Sequence, residues 1–249
     1  MNSFFAAWQF LTIFPIPKLV KVQIDDLERS PAFYPLVGLV LGFIVAILDL
    51  GLCFLFPLNI ASALLVITLM AVSGGLHADG LADTADGFLS SRPRERILEI
   101  MRDSRSGPMA VIVLVSVFAV KWAALTELAG PRFWKLILLL SLSRWNVLLS
   151  MNINSYARLN GGLANVFIRR DSKKSLWITG GLIAICALAY AGVEGVTIFA
   201  INIGFAFLFS YYCRKKIGGF TGDTLGAACE LSEVSVLLTT VLIDRMHQL

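Results

Sequence analysis

Charge is scarce in this 249-residue chain: 15% of its residues are Asp, Glu, Lys or Arg, against about 25% in soluble domains. Beside an apolar fraction of 57% and a mean hydropathy of +0.78, that scarcity excludes disorder, a coiled coil and an ordinary cytosolic enzyme. Histidine is nearly missing, with only His77 and His247 present. The four cysteines, Cys53, Cys186, Cys213 and Cys229, form no C-x-x-C and no metal-ligand spacing, so they are expected to be small buried hydrophobes. G-x-S-x-G, H-E-x-x-H, P-loop and Rossmann patterns are all missing, which leaves hydrolase, zincin and nucleotide-fold readings without support. A net charge of +4 is too small to argue for nucleic acid. No basic segment precedes the short run from Phe4 to Ile13, and Pro15 and Pro17 break it, so it does not read as a secretory signal.

Long apolar runs are what the chain does have. They occupy residues 33–56, 58–76, 108–129, 133–151, 175–191, 196–213 and 231–243. A membrane span takes about 20 apolar residues, so the fold class is all-α: a polytopic integral membrane bundle of about seven transmembrane helices, in one domain over residues 1–249. Phe4, Trp8 and Leu11 recur at i, i+4, i+7, the pattern of an N-terminal helix lying in the membrane interface. Ser106 with Pro108 reads as a helix cap followed by an early-turn proline. If the runs alternate across the bilayer, 16 of the 21 basic residues fall on one side, before the first span and in every second loop. That side is expected to be cytoplasmic. Asp49, near the end of the first run, is expected at the interface, and Arg144, inside the fourth, is expected to face a polar cavity or pair with an acid.

The chemistry concentrates in residues 74–87, Gly-Gly-Leu-His-Ala-Asp-Gly-Leu-Ala-Asp-Thr-Ala-Asp-Gly. Asp79, Asp83 and Asp86 stand at i, i+4, i+7, so a helix lines their carboxylates along one face. Like charges on one stripe repel, and a carboxylate at membrane depth costs about 2.5–3.5 kcal/mol, less near an interface. A divalent cation offsets that cost most directly, and hard oxygen ligands without His or Cys favour Mg²⁺, Mn²⁺ or Ca²⁺. The competing explanation is a solvated acidic helix end. A second segment echoes the first: Gly74 to Asp79 aligns with Gly218 to Asp223 as G-G-[L/F]-x-x-D, and seven residues after each final Asp stands another acid, Asp86 or Glu230. Two such halves are expected to face one site. Between them, Arg102 and Arg105 can grip phosphate oxygens, and the helix opening after Ser106 offers free N–H groups to an anion. His77 is a candidate acid–base group or a partner supporting one, although a lone His more often serves a structural role.

The segment from Gly74 to Phe88, the run Met-Arg-Asp-Ser-Arg-Ser-Gly at 101–107 and Gly-Phe-Thr-Gly-Asp-Thr-Leu-Gly-Ala at 219–227 resemble the cobalamin synthase family, the adenosylcobinamide-GDP ribazoletransferases. Phe10 to Pro17 and Tyr34 to Gly38 look like that family too, and the resemblance runs over nearly the whole chain. It departs at Pro108-Met109, where a small or aromatic pair is expected, which bears on the start of the third span. The resemblance implies an Mg²⁺-dependent transferase of the cell (inner) membrane with cytoplasmic active-site loops. Its substrates would be adenosylcobinamide-GDP and α-ribazole or its 5′-phosphate, with GMP released. It also implies contact with membrane lipid, no nucleic-acid partner, and leaves homo-oligomerisation open. In that reading Asp79, Asp83, Asp86 and Asp223 hold the metal, while Arg102, Ser104, Arg105, Thr221 and Gly222 bind substrate. The proton passes through Asp83, Asp86, Glu230 or His77. A CDP-alcohol phosphotransferase shares the Asp-Gly-x-x-Ala opening but carries Arg where Asp83 stands. A prenyltransferase would want paired D-D-x-x-D motifs, and a cation-coupled transporter would place acids at the bilayer midplane.

Overall fold

The computed structural model describes residues 2–17, 20–103, 105–158 and 172–248. Among them there is no strand, and ten α-helices follow one another along the chain. Two short ones come first, α1 (Asn2–Leu11) and α2 (Ile24–Arg29), with a 3₁₀ turn at Ser30–Phe33. The apolar runs become α3 (Tyr34–Leu55), α4 (Leu58–Ala71), α7 (Pro108–Glu127), α8 (Arg132–Ile153), α9 (Lys173–Ile217) and α10 (Gly222–Met246). Between them lie α5 (Leu76–Phe88), which carries the acidic stripe, and α6 (Arg94–Ile100).

Five of these helices are long and apolar enough to cross a membrane, and α4 with α5, bent by 84° to each other, counts as a sixth when the pair is taken as one span. The bend comes from Gly74 and Gly75, whose φ angles of 63° and 78° only glycine adopts without strain. The second apolar run therefore stops at Ala71 rather than continuing to residue 76. The long α9 is two limbs, because Gly192 breaks it with φ 56° and ψ −139°. Gly195 then lies against the backbone of Ala187, eight residues back, so the limbs double over as a hairpin. Counting the limbs separately gives seven crossings.

The surface of the bundle is apolar, with Phe43, Phe54, Val115, Trp177, Ile185 and Leu208 exposed, as a hydrocarbon solvent requires. Helix packing relies on small residues, the usual device when lipid removes the hydrophobic drive between helices. Gly38 and Gly42 of α3, four apart, seat that helix on the α8 backbone, and a Cβ at Gly42 would stand 2.7 Å from the Ile137 Cα. The N-terminal α1 is tied into the protein: Ala6, Ala7 and Leu11 are buried, and Phe4 meets Phe33 edge-on.

Several polar residues depart from expectation. Asp49 is buried rather than interfacial, and pairs with Arg132 at 2.9 Å, whose guanidinium also reaches Ser62 at 3.0 Å. The partner lies 83 positions along the chain, out of reach of local pattern. Cys53 and Cys186 are exposed, and only Cys213 and Cys229 behave as buried small hydrophobes. The α7 cap is Gly107 and not Ser106, with Pro108 at the first helical position, so the Pro108-Met109 departure leaves the helix start intact.

Candidate functional site

The site forms where the entrances of α5 and α10 cross. Gly80 of α5 lies so close to α10 that a Cβ there would stand 2.6 Å from the Asp223 carbonyl oxygen. Gly226, one turn further along α10, packs on the backbone of His77 and Gly80. The two G-G-[L/F]-x-x-D copies thus do meet, though with different local structure. In the first copy Gly75 caps α5, with Asp79 four residues into the helix. In the second, Gly218 ends α9 in the left-handed conformation and Thr221 caps α10, its hydroxyl accepting the Thr224 N–H.

The crossing collects negative charge. Asp83 is half-buried and has Asp79, Asp86 and Asp223 as like-charged neighbours, with Arg158 the neighbouring cation. Asp79 is exposed, and neither it nor Asp83 has a hydrogen bond or ion pair among the described residues. Asp223 is held by Arg158 at 2.7 Å and by the Thr221 hydroxyl at 3.2 Å. Arg158 drew no attention in the sequence beyond its place in a basic loop. An isolated Arg gives no signal there, and its importance comes from the 65 residues of fold separating it from Asp223.

Asp86 sits in a different environment. Its carboxylate accepts the Gly107 N–H at 2.5 Å and the Ala110 N–H at 2.9 Å. The anion position at the start of α7, expected to receive a phosphate, is filled by this side chain, which suits the positive end of the helix. Arg105 is drawn to Asp103 through two bonds of 3.0 and 2.7 Å, and that guanidinium holds the Asp103 carboxyl down at about 2. Arg102 is exposed. Ser104 lies outside the described residues.

Glu230 stands two turns, about 10 Å, deeper along α10 than Asp223. It joins a fully buried cluster in which Lys121 of α7 donates to Glu230 and to Glu233, each at 2.6 Å, and Arg144 of α8 pairs with Glu233. The expectation that Arg144 meets an acid is met by Glu233, which sequence reading passed over. Both acids seven residues beyond the repeats therefore bind one helix: Asp86 holds the start of α7 and Glu230 holds its Lys121.

A cavity of about 270 Å³ opens at the crossing. Asp79, Asp223 and Arg158 stand at its mouth, and it runs inward past His77 to Leu11, Tyr34 and Val147. Asp79 also borders an open groove formed by Gln9, Thr12, Ser73, Gly74 and Gly75. Gly222 lines the cavity, while Thr221 is buried in its capping role.

The donor chemistry fits a hard divalent cation: unpartnered carboxylates, no nitrogen or sulfur among them, and local charge that one Arg does not balance. No three His, Cys, Asp or Glu side chains among the described residues converge to enclose an ion. A Mg²⁺ ion bound through one or two carboxylates, its shell completed by water and substrate phosphate, would need no such enclosure.

Residues 3–241 match the family described as Cobalamin-5-phosphate synthase. Similar proteins named adenosylcobinamide-GDP ribazoletransferase come from Clostridium acetobutylicum, 38% identical over 93% of this chain and 92% of the relative. Another, from Geotalea daltonii, is 34% identical over 98% of both chains. A third, from Escherichia coli, is 38% identical over 94% of this chain and 97% of the relative. No solved structure matches.

Proposed function

This chain belongs to the cobalamin-5-phosphate synthase family, and we propose on that footing that it joins adenosylcobinamide-GDP to α-ribazole or its 5′-phosphate and releases GMP. The observation that carries the site assignment is the carboxylate of Asp79 with Asp223 and Arg158 at the mouth of a cavity, and Asp83 close enough to feel the charge of all three. We place that mouth at the cytoplasmic face of the cell (inner) membrane, on the side that carries most of the basic residues.

In the reaction an α-ribazole hydroxyl oxygen bonds to the phosphorus that carries the cobinamide arm. The bond from that phosphorus to the bridging oxygen breaks, GMP departs with the bond's electrons, and the hydroxyl proton passes to a carboxylate. Asp79 and Asp223 would hold a Mg²⁺ ion, which would supply positive charge to the pyrophosphate as the leaving group forms. Arg158 adds a fixed positive charge at the same mouth, and the exposed Arg102 would be available to phosphate oxygens, whereas Arg105 is engaged by Asp103. Asp83 is the carboxylate best suited to take the proton. Left outside the metal pair, it has no hydrogen bond or ion pair among the described residues, whereas Asp86 is engaged by two amides and Glu230 by Lys121.

A transporter would share two features, the broken α4–α5 crossing and the interior Glu230 and Glu233. Those two acids are already neutralised by Lys121 and Arg144, so they do not favour that reading. The experiment is GMP release by purified protein in liposomes given adenosylcobinamide-GDP, α-ribazole and Mg²⁺, with an EDTA control. Metal-dependent GMP with a cobalamin product is expected. Folded protein that yields no GMP overturns the proposal.

A further inference from the structure

The 270 Å³ cavity has two unlike ends. At the outer end are Asp79, Asp223 and Arg158. At the inner end Leu11, Tyr34 and Val147 are nearly sealed from outside, with Met151, Leu225 and the Phe10 ring completing the wall. Phe10 and Tyr34 lie nearly parallel, 14° apart with centroids 6.1 Å from one another. The Tyr34 hydroxyl is turned to Ser30, so Tyr34 gives this compartment mainly a ring surface. The open groove beyond Asp79 is the polar neighbour, with Gln9, Thr12 and Ser73 on it.

Of the groups in the proposed reaction, size and polarity sort themselves between these spaces. The corrinoid has several times the cavity's volume and must stay outside. Guanine carries donors and acceptors along its edge, and burying them against Leu, Val and Met leaves them unpaired at about 1–3 kcal/mol each. The base of α-ribazole is a dimethylated benzimidazole, flat, bicyclic and apolar apart from one free ring nitrogen. It is the group whose burial such a wall rewards, through apolar area and ring contact.

We propose that this cavity is the acceptor's base pocket: the benzimidazole of α-ribazole fills the inner compartment. Its ribose hydroxyls then lie at the mouth beside Asp79, Asp223 and Arg158, and the donor's pyrophosphate arrives from the open groove. This rests on the transferase reading above. Val147 and Met151 of α8 are thereby specificity-determining residues, since they set the depth available to the base.

Steady-state kinetics of the full-length protein in liposomes tests this with two opposite substitutions. Val147→Phe fills the compartment and is expected to raise the KM for α-ribazole by about tenfold or more, with the KM for adenosylcobinamide-GDP within about twofold of wild type. Met151→Ala deepens it and is expected to shift preference toward a nucleoside whose base is larger by one ring. Equilibrium binding of α-ribazole and of GMP to each variant separates the ligands without turnover. A rise confined to the KM for the donor, or weakened GMP binding with α-ribazole binding intact, overturns the assignment and gives the compartment to guanine. Unaltered constants for both substrates in both variants overturn it as well. Failure of the transferase reading itself shows differently, as no GMP from the wild-type protein.

Discussion

At the scale of single residues, the three aspartates of α5 have the same chemistry and different surroundings. Asp83 is half-buried and, like the exposed Asp79, without a partner among the described residues, so Asp83→Asn is expected to lower turnover about 100-fold or more while leaving insertion and thermal stability intact. GMP assays and a melting curve on the same preparation check both halves. Asp86 instead holds the start of α7 through Gly107 and Ala110. Asp86→Ala is expected to destabilise the protein by about 0.5–2 kcal/mol, the usual range for a lost helix cap, seen as a lower melting temperature. An Asp86 variant with an unchanged melting temperature and no activity would return Asp86 to the metal. The shared stripe of Asp79, Asp83 and Asp86 was legible from spacing alone, because helical period is a local property. What Asp86 touches was not, since residues 107 and 110 are brought to it by the α5–α7 packing.

At the scale of helices, α7 is held from both halves of the repeat, by Asp86 of α5 and by Glu230 and Glu233 of α10 through Lys121. Removing one member of such a buried group leaves charge uncompensated, at about 3–5 kcal/mol. Lys121→Met is expected to cost that much, and the double variant Lys121→Met, Glu230→Gln to recover part of it. Chemical denaturation in detergent measures both, and equal losses in the single and double variants would mean that the pairing carries no energy of its own. The matching offset of Asp86 and Glu230 was visible in the sequence, but it suggested two ligands of one site. Their common target is a helix, and Lys121 had been passed over inside an apolar run.

At the scale of the whole molecule, composition and basic-residue placement were enough to expect a seven-crossing helical bundle. They mark the boundary between water and hydrocarbon directly. The break at Gly192 falls in the gap between the runs 175–191 and 196–213, whereas the bend at Gly74–Gly75 was less legible, because a continuous apolar run does not show where a helix turns. The interior polar groups follow from tertiary pairing alone: Asp49 with Arg132, Lys121 with Glu230 and Glu233, Arg144 with Glu233. The last cluster also sets a sequence of events in the making of the protein. A ribosome delivers Lys121 and Arg144 to the membrane first, on α7 and α8, and both answering glutamates only with α10, the final helix. Until then the nascent bundle carries two cations in its interior, each costing about 2.5–3.5 kcal/mol on insertion scales. A chain cut short after Thr221 is therefore expected to be cleared by membrane proteases, with a cellular half-life well below that of the full chain in a pulse–chase experiment. Helix α10 is in this sense the checkpoint of assembly: only a chain that has received it neutralises the charges of α7 and α8.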